Sequence, residues 1–573
     1  MPIIMKITTV PRDNLLKALR QAESNSLDFI LLVSGAFGEA EYANASQLLE
    51  HAARALKNGG LLFIQGLPEI LPHFGVLLDR YLTFKYWLAV ESEPRPLHSA
   101  LPSVHAGVLL FAKGKGRVNI RRVRLPHQYC KACGRTLKDW GGKAHLMHPE
   151  GYVISDVIKD LPKEDNYTRL SKPLYDLLLE LLDFPQPKKK ENIPLIEAPI
   201  REVQGMVAPT EGLAWEHRHL GEPPAGFRQL TLPGIRPPSS NTPASSSNKK
   251  PIERLYNVIH QGDAIEILRQ YPDESIDLVF ADPPYNLDKE YILYNDEQSE
   301  QQYIEWCNAW LAEYARILKP TGSLFVLNLP HWALYHADFL NQHLYFQNWI
   351  VWDALSEPRG KIMPAHYALL YYTKQKEGFT FNYESVSPLD ARHYCLRASC
   401  IRKRKKQGDD DKTPLTDIWW DIHRIKHRRD RDYHPCQLPE ALMQRIIELT
   451  TNPGDVVLDA FGGTGTTPLA ALRLQRRYVA IDIDPYYVQL MQRKIQQFLQ
   501  HGEIQRESIK RPPRQVTKKA LQLELRRLAR DLGRLPTPED VKARSKYDLS
   551  LYLETFPTWG KALKAAKLER TES

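Results

Sequence analysis

The tetrapeptide Asp282-Pro283-Pro284-Tyr285 closes an apolar run, Ile276, Leu278, Val279 and Phe280, that reads as a buried strand. Two prolines fix their own φ angles and present carbonyl oxygens without competing amide hydrogens. An acid and a proline carbonyl at one strand end can therefore converge on a single amino group of a substrate. A second stretch, Val456-Val457-Leu458-Asp459-Ala460-Phe461-Gly462-Gly463-Thr464-Gly465-Thr466-Thr467, has the order strand, tight turn, helix. Its glycines permit positive φ and close approach of backbone to a ligand. After the next helix, Tyr478-Val479-Ala480-Ile481-Asp482 reads as a strand ending in an acid, a position suited to the ribose hydroxyls of a nucleoside cofactor. Taken alone, the glycine loop also fits a dinucleotide fold or a structural turn, and Asp482 an exposed loop.

These stretches need strands whose carboxyl ends lie side by side, as in an α/β doubly wound sheet, where ligands bind beyond those ends. The chain repeats that rhythm. Ala53-Arg54-Ala55-Leu56-Lys57, Gly60 and Leu62-Phe63 recur as Ala315-Arg316-Ile317-Leu318-Lys319, Gly322 and Leu324-Phe325, at an offset of 262. Phe84 and Trp87 match Phe346 and Trp349, His105 to Lys113 matches His366 to Lys374, and Asp156 and Asp160 fall on Asp417 and Asp421. A register kept over about a hundred residues implies an ancestral duplication. In the first copy, Phe29-Ile30-Leu31-Leu32 runs into Val33-Ser34-Gly35-Ala36, with no carboxylate and no proline pair. No glycine-rich loop follows Leu181. The expected domains are a degenerate copy over 1–183, a Pro/Ser-rich linker over 184–251, an active copy over 252–502 and a helical tail over 512–573.

The 573 residues allow several real cores, and 43% hydrophobic with 25% charged residues excludes disorder throughout. No run of about 18 apolar residues occurs and the first residues lack signal-peptide features, so a cytoplasmic protein with no membrane partner is expected. Lysine and arginine number 77 against 68 acids, a net charge of +9 that favours polyanionic partners. Six cysteines are too few for a disulfide framework at this size. Cys130 and Cys133, followed by His145 and His148, have spacing compatible with a four-ligand zinc site, with His127 as a spare. Cys395 and Cys400, then His434 and Cys436, recur in the second copy. Reduced thiols in a loop are the plain alternative.

Together, the tetrapeptide and glycine loop resemble the amino-methyltransferases that methylate an exocyclic amine of a DNA base. Their order, tetrapeptide first, is similar to the permuted β class of DNA methyltransferases. The resemblance covers roughly 252–500 and implies a Rossmann-like fold with S-adenosylmethionine as cofactor. It carries catalytic roles onto Asp282, Pro283, Pro284 and Tyr285, with the target base flipped from the helix and stacked on Tyr285. Cofactor contacts follow at Asp263, Asp459, Phe461, Gly462, Gly463, Gly465, Thr466 and Asp482, although Asp263 is also placed to cap a helix. His434-Pro435-Cys436-Gln437-Leu438-Pro439 is similar to a family motif ahead of the loop, with Leu438 where many relatives carry lysine. Target recognition falls over 331–433, where Arg402, Lys403, Arg404, Arg428 and Arg429 are candidate DNA contacts. An acid at the first motif position points to N6 of adenine; N4 of cytosine, an RNA base, or a non-catalytic DNA-binding relic are the alternatives. Double-stranded DNA is the expected partner, a restriction endonuclease a candidate one, and a prokaryotic nucleoid the expected location. From Val516, Leu521, Leu525, Leu528 and Leu532 resemble the small helical repeat beside homing endonucleases, with Trp559 in its core and its basic residues toward DNA.

Overall fold

A computed structural model describes residues 3–95, 100–114, 118–137, 147–183, 201–214, 255–286, 298–354, 360–395, 397–408, 411–425, 437–504, 518–556, 558–566 and 568. The second copy is built on an eight-stranded sheet. Its order is Val258–Gln261, Arg477–Asp482, Val456–Asp459, Ile276–Ala281, Leu318–Asn328, His366–Thr373, Tyr345–Asp353 and Ile418–Trp419. The first five pair in parallel, whereas His366–Thr373 runs antiparallel to both its neighbours. Every residue of Ile276–Ala281 is buried, as expected of a central parallel strand covered on both faces. Helix Glu300–Ile317 begins at a capping box in which Ser299 accepts from the Gln302 amide, satisfying one of the amide hydrogens orphaned at a helix start. Tyr303, Cys307, Trp310, Leu311 and Tyr314 put its apolar stripe on the sheet.

The first copy forms a seven-stranded sheet in the order Ile3–Thr9, Arg201–Ala208, Leu27–Val33, Leu56–Gly66, Ser103–Ala112, Thr83–Arg95 and Val157–Ile158. The two orders match strand for strand, except that the first sheet has no counterpart of Arg477–Asp482. Ile3–Thr9 consequently pairs directly with Arg201–Ala208. This corrects the linker expected over 184–251: residues 201–214 belong to the first copy, and Val203 and Val207 are buried in its core. Arg201–Ala208 takes the place of Val456–Asp459 but ends in Ala208 rather than an acid and runs into Pro209-Thr210-Glu211-Gly212, which has no glycine pair.

The first copy's counterpart of the strand end that carries Asp282 is closely packed. A Cβ on Gly35 would lie 2.0 Å from the Tyr167 carbonyl oxygen, and Tyr42 donates its hydroxyl to the Ser34 carbonyl. The backbone at Tyr167 therefore packs directly against this turn.

The halves meet through equivalent residues. Trp87 stacks on Trp349 with ring centroids 3.7 Å apart and planes 12° from parallel. Buried Asp417 of the second half accepts hydrogen bonds from the Val104 amide and His105 Nδ1 of the first, both at 2.9 Å. Its counterpart Asp156 accepts from the amides of Ala365 and His366, at 2.7 and 3.1 Å. The Val104 and Ala365 amides thus make the same bond with the halves exchanged, the signature of a two-fold interface, here within one chain.

The tail is a separate compact unit whose described residues form the helices Lys518–Leu532, Pro538–Arg544, Leu549–Thr555 and Trp559–Ala565. Leu521, Leu525, Leu528, Val541, Tyr552, Phe556 and Ala562 form its core, with Leu532 and Trp559 packed against it. Thr537 caps the second helix by accepting from the Asp540 amide. Among the described residues, no helix is long and apolar enough to cross a membrane.

Candidate active site

Strands Ile276–Ala281 and Val456–Asp459 are parallel neighbours, with Phe280 opposite Asp459, so the tetrapeptide and the glycine loop leave the sheet side by side. One side chain links them: Tyr314, buried on the long helix, donates its hydroxyl to the Phe280 carbonyl at 3.1 Å and accepts the Ala460 amide hydrogen at 3.1 Å.

Asp282 is half-buried and accepts the phenol hydrogen of Tyr285 at 2.6 Å. The turn is held from behind by residues that sequence reasoning missed. Tyr303 donates its hydroxyl to the Pro284 carbonyl at 2.6 Å, Trp332 donates its indole N–H to the Tyr285 carbonyl at 2.8 Å, and buried Asn328 donates to the Tyr303 hydroxyl at 3.3 Å. Asn286, at φ 51°, exchanges two hydrogen bonds with the backbone of Gln298. An aromatic residue in the first turns of an amphipathic helix is an ordinary core signal, so nothing in the letters marks Tyr303 as a brace.

In the glycine loop, Gly463 and Gly465 adopt φ of 50° and 81°, left-handed conformations that favour glycine. Cβ atoms at Gly462 and Gly465 would each meet Met491 at 2.8 Å, so the loop lies tight on helix Pro485–His501. Buried Lys494 of that helix donates to the Thr464 carbonyl at 2.7 Å. Asp459 points inward. It accepts from the Thr467 hydroxyl at 2.5 Å and the Phe461 amide at 2.9 Å, and burial lifts its carboxyl to about 6. Its direct partners are thus within the loop it shapes. Thr466 opens helix Thr466–Arg473. Phe461 packs edge-on against Trp306 and Trp310, at 5.7 and 5.3 Å.

Asp482 ends the next strand, half-buried, accepting the Gly463 amide at 2.8 Å on one oxygen and the Asp484 amide at 2.8 Å on the other. Burial raises its carboxyl to about 6 against those two bonds. Gln261 pairs with Asp482, which brings Asp263 to the same edge. There Asp263 caps helix Ala264–Leu268, accepting from the Glu266 amide at 3.0 Å.

Of the basic candidates, Arg402 and Lys403 are exposed on helix Ala398–Gln407. Arg404 is corrected: it is fully buried, 2.6 Å from Asp390, with its guanidinium 4.2 Å from the Tyr394 ring centroid. One residue's advance along a helix turns a side chain by about 100°, which carries it from solvent to core. Arg428 and Arg429 lie outside the described residues, as do His434 and Cys436. Trp352 and Trp419 are core residues whose indoles donate to the Ile422 and Thr416 carbonyls.

The zinc ligand set is corrected too. Cys130 and Cys133 gather not with His148 but with Cys395 and Cys400 of the second half, the four sulfurs all within 4.8 Å of one another. His148 is exposed and turned to Glu150, 3.8 Å away, while His145 lies outside the described residues.

Residues 276–493 match the N6/N4 DNA methylase family. The type II methyltransferase M.BamHI of Bacillus amyloliquefaciens is 39% identical over 40% of this chain, a match spanning 54% of that protein's own length. The DNA adenine methyltransferase YhdJ of Escherichia coli K12 is 32% identical over 42% of this chain and 82% of its own. The chain belongs to the DNA methylase family. A solved structure of the PvuII DNA methyltransferase, cytosine-N4-specific, is 20% identical, with a TM-score of 0.32 over 43% of this chain and 88% of that one. In this chain, the tail over 516–569 matches the homing endonuclease associated repeat.

Proposed function

We propose that the second half is a DNA methyltransferase that transfers a methyl group from S-adenosylmethionine to N6 of adenine in duplex DNA. The observation that carries this reading is the adjacency of Asp282 and the glycine loop at neighbouring strand ends, tied by Tyr314. The acid at the first position of the tetrapeptide, and the adenine methyltransferase among the relatives, favour adenine.

An exocyclic amine is a poor nucleophile because its lone pair is delocalised into the ring. Asp282 and the Pro283 carbonyl accept the two amine hydrogens, which turns the lone pair out of conjugation and toward the methyl donor. The Tyr285 hydroxyl fixes Asp282 in the required rotamer, and the Tyr285 ring, buried in the turn, is the surface a flipped base would stack on once it entered. Tyr303 and Trp332 hold both neighbouring carbonyls, so the turn is organised before substrate arrives, and positioning of this kind supplies much of a transfer rate.

The residues present fit the cofactor: a left-handed glycine turn leaves room for backbone approach, and an acid stands beside it on the next strand. S-adenosylmethionine, when bound, supplies an electrophilic methyl group on its sulfonium. Asp482 would hold the cofactor's ribose hydroxyls, Gly462 and Gly463 would line its turn, and Asp263 and Phe461 would hold its adenine. Asp459 acts as a positioning residue through Thr467 and the Phe461 amide. Exposed Arg402 and Lys403, with the tail's exposed Lys542, Arg544, Lys561 and Lys564, meet phosphates. A restriction endonuclease that cuts the same site is the protein partner this reading admits. Labelling DNA with methyl-labelled cofactor and identifying the methylated nucleoside tests the assignment.

A further inference from the structure

The four cysteines that the two halves bring together do not belong to the active site. Cys130 Sγ lies 3.7 Å from Cys400 Sγ, and Cys133 Sγ lies 3.7 Å from Cys395 Sγ. A disulfide needs about 2.05 Å, and two separate disulfides would not require all four sulfurs to crowd within 4.8 Å. A tetrahedron of sulfurs around zinc at Zn–S of about 2.3 Å has edges of about 3.8 Å. The two separations of 3.7 Å match that edge, and the remaining four stay within 4.8 Å.

The surrounding backbone has the form of a metal-binding turn. Cys130 and Cys133 have two residues between them, Cys395 and Cys400 four, both within the spacing of structural zinc ligands. Gly134 follows Cys133 at φ 66° and donates its amide to the Cys130 carbonyl at 2.8 Å. The Cys395 amide donates to Cys130 Sγ at 3.3 Å. Cys400 sits in the first turn of helix Ala398–Gln407, where the helix dipole favours a thiolate. The burial of Arg404 also acquires a reason: one helical turn beyond Cys400, its guanidinium is held at 2.6 Å from Asp390. Four thiolates around a divalent ion leave a net charge of −2, and a buried cation beside them offsets part of it.

We propose that Cys130, Cys133, Cys395 and Cys400 bind one structural zinc ion that clamps the inactive half to the active one. Each half supplies two ligands, so neither holds the ion alone. The clamp also anchors the start of the helix that displays Arg402 and Lys403. Further bonds cross at the same place: the Lys131 amide donates to the His393 carbonyl at 3.0 Å, and Arg397 donates to the Thr136 carbonyl at 2.9 Å.

The full chain, purified without chelator from zinc-replete medium, should carry about one zinc per chain by elemental analysis. X-ray absorption at the zinc edge should show four sulfurs at about 2.3 Å. Cys130→Ser with Cys400→Ser should lose the zinc, while Cys307→Ser, which alters a buried cysteine outside the cluster, should retain it. If the double variant does not fold, the absorption spectrum of the unaltered protein decides. Absence of metal, iron in place of zinc, nitrogen or oxygen among the atoms bound to the metal, or zinc retained by the double variant would each overturn the proposal.

Discussion

Tyr285 donates its phenol hydrogen to a carboxylate oxygen of Asp282 across 2.6 Å, so the last residue of the tetrapeptide sets the rotamer of the first. Tyr285→Phe keeps the ring and removes that bond. A hydrogen bond to a charged group is worth about 1.5–3 kcal/mol, so transfer should slow about 10- to 150-fold in kcat, with cofactor affinity unchanged. Single-turnover kinetics at saturating DNA would show it. A Phe variant as fast as the unaltered enzyme would mean that the hydroxyl does not position Asp282.

Cofactor affinity should depend on pH through Asp482. Burial lifts this carboxyl to about 6, and the form that accepts ribose hydroxyls is the ionised one. Affinity should therefore be full above that value and fall as pH drops through it. Asp482→Asn should weaken binding about tenfold near neutrality, the loss of one good hydrogen bond, and flatten the dependence. Calorimetry from about pH 5 to pH 8, the range that brackets the shifted group, checks both. A steep profile surviving in the Asn variant would assign the titration elsewhere.

The two halves should unfold together. Trp349→Ala removes a fully buried ring stacked on Trp87, a change that costs about 3–5 kcal/mol in cores. It should destabilise both halves at once in urea. Two transitions, with the first half unmoved, would show that the interface does not couple them.

Much of this architecture was legible from particular residues. Asp282-Pro283-Pro284-Tyr285 and the Gly462–Gly465 turn carry their own chemistry, and the repeat of Leu62-Phe63 as Leu324-Phe325 located the paired sheets. Arg201–Ala208 was hidden because prolines and serines around it dominate the composition, although Val203, Gly205 and Val207 alternate as a strand requires. The exchange of Asp156 and Asp417 between halves was visible only as a repeat, since letters do not say which copy a buried acid faces. Nor could spacing along the chain join Cys130 to Cys400, 3.7 Å away but 270 residues distant.

Removing the tail, residues 512–573, should weaken DNA binding and reduce its salt dependence. For every phosphate that the tail neutralises, its removal lowers the slope of log affinity against log salt by about 0.9. Binding isotherms at several salt concentrations measure it. An unchanged slope would remove the tail from the DNA interface.

The central claim is tested most directly by incubating the protein, and an Asp282→Ala variant, with mixed-sequence duplex DNA and methyl-labelled S-adenosylmethionine, then digesting to nucleosides. Label on N6 of adenine, lost in the variant while cofactor binding persists, is the predicted result. Label on N4 of cytosine would contradict the assigned base, and adenine label undiminished in the variant would contradict the role of Asp282.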